Sequence, residues 1–150
     1  MMCDLRELYQ EVIFDHNRNP HNFGKLQNPD RTVRGDNPLC GDQLTLYLHV
    51  DADGAIRDIA FDGHGCAISV ASASIMTDLV KGASAAEALL WFDKFHALVT
   101  GGGDGGGEGM DKLAVLGGVR QYPMRVKCAT LPWHTLQAAL RGDGATVSTE

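Results

Sequence analysis

The run from Gln43 to Val50 constrains this chain most. Leu44, Leu46, Leu48 and Val50 alternate with Gln43, Thr45, Tyr47 and His49. Successive side chains of a strand point to opposite faces, so this run predicts a strand with one buried and one wetted face. Asp51-Ala52-Asp53-Gly54 reads as a turn, and Ala55 to Phe61 returns as a second strand. Its alternation is imperfect, because Ile56 and Ile59 fall on opposite faces of a regular strand. Arg31 to Gly35 supplies a short third strand. A small antiparallel sheet of about three strands with one apolar face needs helices to cover it, which predicts an α+β fold.

The helices follow from periodicity. Leu5, Leu8, Tyr9, Val12 and Ile13 recur at helical spacing behind an Asp4/Glu7 capping pair, and this helix is expected to reach about His16. Asn17-Arg18-Asn19-Pro20 ends it. Residues 20–30 read as a loop anchored by Phe23, with His16 and His21 as surface histidines given no role. A second helix opens at Cys66, released from the sheet by Gly63 and Gly65 and stopped by Lys81-Gly82. Its small residues, Ala67 to Ser74, allow close packing, and Ile68, Ile75 and Leu79 form the apolar stripe. Ser84 and Glu87 form a capping box for a third helix carrying Leu89, Leu90, Trp91, Phe92, Phe95 and Leu98, with Trp91 and Phe92 as core.

The glycine run from Gly101 to Gly109 lacks the Lys and Ser/Thr of a phosphate loop and reads as flexible. A short helix is expected over Asp111 to Leu116. The last helix starts near Pro123, with Val126, Ala129, Thr130, Trp133, Gln137 and Leu140 on one face. Pro132 crowds the carbonyl of Cys128, so the helix is expected to bend or begin there. Residues 1–141 read as a single domain and 142–150 as a disordered tail.

Composition narrows the function. A chain of 150 residues suits one domain with a real core. The net charge of −6 argues against nonspecific nucleic-acid binding. No apolar run is long enough to cross a bilayer, and Met1 to Glu7 is charged rather than signal-like. A cytoplasmic protein with no membrane partner is expected. There, four cysteines point to metal binding or chemistry rather than disulfides. No CxxC pair is present, so spacing alone does not specify zinc.

Cys40 and Asp42 flank Gly41, which opens backbone angles closed to other residues, while Pro38 stiffens the approach. The pair is expected on a tight exposed turn, aimed at one small object. Taken alone, Asn37 to Asp42 reads as an ordinary polar turn. Cys66 lies in Asp62-Gly63-His64-Gly65-Cys66, in the first turn of a helix, where the dipole favours a thiolate. It reads equally as a small packed Cys. Cys128 lies in Arg125 to His134. Three cysteines, each at the edge of an element, suit one shared site. His64 ranks below them, and Cys3 is a spare thiol.

Asn37 to Asp42, Phe61 to Ser69 and Arg125 to Leu136 resemble, in order and spacing, the three signature segments of the U-type iron–sulfur scaffold family (NifU N-terminal-like, IscU-like). The resemblance is closest to its SufU branch. The segment Gly101 to Arg120 is similar to that branch's insertion, and Lys127 stands where the IscU branch carries His. The resemblance implies an IscU/SufU-like fold and a zinc site of Cys40, Asp42, Cys66 and Cys128, with Arg125 and Lys127 as candidates to offset its negative charge. It also implies zinc-dependent sulfur transfer. Cys40 would accept persulfide sulfur from a SufS-type cysteine desulfurase, Asp42 would retain the metal or tune the freed thiol, and the sulfur would pass to SufBCD-type assembly machinery. Two alternatives stay open: a scaffold that assembles and transfers a [2Fe–2S] cluster on the same cysteines, and a structural zinc module that binds a partner.

Overall fold

A computed structural model describes residues 11, 13–37, 41–100, 123–141 and 147–148. The first helix, α1, is described over residues 13–18 and so continues two residues past His16. Three strands follow: β1 (Arg31–Asn37), β2 (Asp42–Val50) and β3 (Ile56–His64). Then come α2 (Ala67–Val80), α3 (Ala85–Thr100) and α4 (Pro123–Arg141). The sheet order is β3-β2-β1-β4, with β1, β2 and β3 antiparallel.

The expected alternation of β2 holds for Leu44, Leu46 and Leu48, which are 5%, 0% and 0% exposed. Strand pairing puts Val33, Leu46 and Phe61 in one row of the same face. The other face is not simply wetted. Tyr47 is buried, and its hydroxyl donates to Asp62 Oδ2 at 3.0 Å. Burial first, and then the Asp62 carboxylate, push the Tyr47 phenol above its ordinary value.

The conflict between Ile56 and Ile59 is resolved by a β-bulge. His49 pairs with Asp58 but Val50 pairs with Ile56, so Arg57 is an extra residue in β3. One inserted residue shifts the two-residue period by one. Ile56 thereby joins Ile59 on the buried face, and both are fully buried.

Helices α2 and α4 lie on this face and on each other. Gly35 of β1 allows the close approach of α4, since a Cβ there would meet Thr135 Oγ1 at 2.2 Å. Ser72 links the two helices, donating to the Ala129 carbonyl at 2.6 Å and accepting from Trp133 Nε1 at 3.2 Å. Ser84 caps α3 as expected: its Oγ accepts the Glu87 N–H at 3.1 Å and donates to Glu87 Oε1 at 3.3 Å. Phe95 and Leu98 of α3 are buried and Trp91 and Phe92 are half-buried, but Leu90 is 60% exposed. It points away from the stripe set by Phe95 and Leu98.

Three expectations change. Helix α4 neither begins at Pro132 nor is confined to one buried face: it runs unbroken through Pro132, and residues 128–133 are all buried. Being sandwiched between α2 and β1 buries it nearly all round. The supposed tail contributes β4 (Val147–Ser148), which pairs in parallel with Gly35 and Asp36 of β1. The outer edge of β1 offers backbone donors and acceptors that a passing strand can satisfy. The remainder of 142–150, the glycine run and the helix expected at 111–116 lie outside the described residues.

His16 and His21 also have partners. His16 Nδ1 and the His21 backbone N–H both meet Ser74 Oγ, and the His21 ring meets Asp78. Asn22 reaches Thr77 and Asp78, so this loop is knotted onto α2. Phe23 anchors the next residues mainly through its backbone. It bridges to Phe61, with the rings edge to face and the Phe23 side chain 51% exposed.

Candidate metal centre

The site is assembled by the ends of β1 and β2, the start of α2 and the middle of α4. Asn37 and Asp42 are the last register pair of β1 and β2. Gly41 turns the chain between them at φ +74°, and its N–H donates to the Asn37 carbonyl at 2.9 Å. Two-residue parity puts Asp42 on the same face as Leu44 and Leu46, and puts Asn37 with Val33. Asp42 is therefore not on an exposed turn as expected. It opens β2 and is 1% exposed.

The chain leaves β3 through Gly63 and Gly65. A Cβ at Gly63 would meet the Gln43 carbonyl oxygen at 2.2 Å, and one at Gly65 would meet Asp42 Oδ1 at 2.6 Å. Both glycines let this segment close over the start of β2. Cys66 then stands at the N-cap of α2 with an extended backbone. Its N–H donates to Asp42 Oδ1 at 2.7 Å, and its Sγ lies 3.9 Å from Asp42 Oδ2. Cys128 comes from α4, fully buried, and Asn37 Nδ2 donates to its Sγ at 3.6 Å.

One ligand atom from each of Asp42, Cys66 and Cys128 falls within 4.8 Å of the others. Cys40, the fourth residue singled out in the sequence, lies outside the described residues, as does the side chain of Arg125. Lys127 is half-buried, and His64 is exposed at the end of β3. Among the described ion pairs none includes Asp42. A carboxylate withdrawn from water beside two thiols, without a basic partner among the described residues, is a donor set that suits a cation. Ligands about 2.3 Å from a tetrahedral zinc stand about 3.8 Å apart, so contraction by about 1 Å would seat the ion. Asn37 is the site residue that sequence reasoning missed. The available signal was its parity with Val33 and Gly35, which places it on the buried face.

Residues 8–139 match the family described as the NifU-like N terminal domain. The chain belongs to that family, and is thus a U-type protein of iron–sulfur cluster assembly. It is 42% identical over 140 residues to the iron-sulfur cluster assembly scaffold protein IscU of Streptococcus pyogenes, covering 93% of this chain and 87% of that one. It is 40% identical over 135 residues to the zinc-dependent sulfurtransferase SufU of Bacillus subtilis, covering 90% of each. The fold matches the crystal structure of a putative SUF-system scaffold protein from Fervidobacterium islandicum with a TM-score of 0.81 and 37% identity, covering 90% of this chain and 98% of that one. Among the described residues, no helix is long and apolar enough to cross a membrane.

Proposed function

We propose that this chain is a cytoplasmic, zinc-dependent sulfur-transfer protein. It takes persulfide sulfur from a SufS-type cysteine desulfurase and hands it to SufBCD-type assembly machinery. The observation that carries this reading is the buried Asp42 carboxylate converging with Cys66 and Cys128 within 4.8 Å. Cys40, Asp42, Cys66 and Cys128 would hold the zinc. Zinc supplies a positive charge that keeps its sulfur ligands deprotonated at neutral pH.

Cys40 is the assigned acceptor. Cys128 is fully buried and held by Asn37, and Cys66 is tied through its backbone to Asp42. Cys40 stands in the sequence directly before Gly41, the glycine at which the chain turns. Its thiolate attacks the outer sulfur of the desulfurase persulfide. The S–S bond of that persulfide breaks, the desulfurase cysteine leaves as a thiolate, and Cys40 becomes the new persulfide. Asp42, Cys66 and Cys128 remain to retain the metal.

A second reading, assembly of a [2Fe–2S] cluster on the same cysteines as cargo, is favoured by the likeness to the streptococcal scaffold protein. Metal analysis after purification without added metal separates the two. Tight zinc supports transfer, and a brown iron-bearing protein supports the scaffold. In a desulfurase assay, the zinc-loaded protein is expected to stimulate turnover and the stripped protein is not. Cys40→Ala should abolish persulfide uptake while zinc stays bound. Normal sulfur uptake by that variant would remove Cys40 from the acceptor role.

A further inference from the structure

Among the described residues, Asn37 is the one fully buried polar side chain at this site that the sulfur-transfer reading leaves without a task. Its Nδ2 donates to Cys128 Sγ at 3.6 Å. Its backbone carbonyl accepts the Gly41 N–H, so it is held by the turn that leads into Asp42. Its Oδ1 has no hydrogen-bond partner among the described residues. A buried amide oxygen left unpaired is costly, and an apolar side chain of the same branched shape carries no such penalty. Packing therefore does not account for an asparagine here, whereas the N–H···S bond does. Asp42 is served in the same way, its Oδ1 taking the Cys66 N–H. Two ligand groups thus each receive one N–H donor from a neighbouring element, the arrangement by which outer partners orient metal ligands.

We propose that Asn37 is a positioning residue of this centre, the hydrogen bond from its side-chain amide to Cys128 Sγ fixing that sulfur as the ligand that stays on the metal. The assignment rests on the reading of the site as a zinc centre. A sulfur that shares its lone pairs with an N–H is oriented for one bond to metal and donates less charge to it. Removing the amide frees the Cys128 rotamer, and that loss of orientation sets the affinity; it also raises the sulfur lone pairs in energy, which sets the colour of a cobalt complex.

The test uses the full chain loaded with zinc or, as a coloured substitute, Co(II). Asn37→Leu is expected to lose zinc to a competing chelator at about 10- to 100-fold lower chelator concentration than wild type. The sulfur-to-cobalt charge-transfer band should move to longer wavelength, a change that a general loosening of the fold does not produce. Circular dichroism of the apo-proteins checks that the variant folds. Should Asn37→Leu unfold, Asn37→Ala decides, since it removes the donor and adds neither bulk nor charge. A folded variant with wild-type affinity and an unmoved band overturns the role of Asn37 alone. A wild-type protein that binds neither zinc nor cobalt overturns the metal reading and this assignment with it.

Discussion

Gly65→Ala perturbs the centre without touching any ligand. Gly65 does not occupy the left-handed backbone region, so the added methyl acts through contact alone. Its Cβ would stand 2.6 Å from Asp42 Oδ1 and 3.1 Å from Asp42 Cγ, where ordinary contact begins at 3.4 Å. The oxygen must retreat by about 0.8 Å, and a shift of that size along the bond stretches the 2.7 Å Cys66 N–H···Oδ1 bond to about 3.5 Å. That is beyond a useful hydrogen bond. A bond to a charged group contributes about 1.5–3 kcal/mol, and overpacking a tight contact costs about 1–3 kcal/mol. Relaxation relieves part of each, so the expected loss of stability is about 2–4 kcal/mol. Zinc affinity should fall about 10- to 100-fold, because the displaced carboxylate no longer faces the two thiols. Gly82→Ala is the control. Gly82 has φ +85° with nothing within 4 Å, so it tests backbone strain of about 1–2 kcal/mol with no effect on metal. Urea unfolding and chelator competition measure both quantities. A Gly65→Ala protein with wild-type stability and zinc affinity would refute the claim that Gly65 seats the Asp42 carboxylate.

Two further outcomes follow from the helices. Ser72→Ala removes the buried partner of Trp133 Nε1 and the Ser72 hydroxyl's bond to the Ala129 carbonyl, and should cost about 1–3 kcal/mol in urea unfolding without changing zinc binding; a loss under about 0.5 kcal/mol would mean that the link is idle. His134 is half-buried against the edge of Phe92, and burial first, then His96, push its imidazole below the ordinary value. In the window below the unfolded value the unfolded chain therefore binds the extra proton, so stability falls as pH drops from about 7 toward the lowered folded value. His134→Gln should flatten that fall, and a variant with the same pH slope as wild type would exclude His134 as its source.

Much of the fold was legible because local rules and tertiary packing agree. The Leu44, Leu46 and Leu48 alternation, the Ser84/Glu87 cap and the Lys81-Gly82 stop each act over a few residues. The misses are where partners come from afar. The bulge at Arg57 follows from Ile56 and Ile59 both reaching one core. The knot of His16 and His21 depends on Ser74 and Asp78, more than fifty residues later in the chain. Leu90 reads as apolar cover in sequence but faces away, since a helix has one side to bury.

The amino-acid order by itself determined the class of fold, because strand parity, caps and breakers are local properties of the chain, while the residues of the candidate centre were named through the family resemblance of three short segments. Only the tertiary structure decided that Asp42 is buried, that Gly65 lies against its carboxylate and that the amide of Asn37 points at Cys128. These facts depend on two strand ends and two helices meeting at one point. Distances of a few ångströms between segments up to 91 residues apart are set by packing, which no local rule contains.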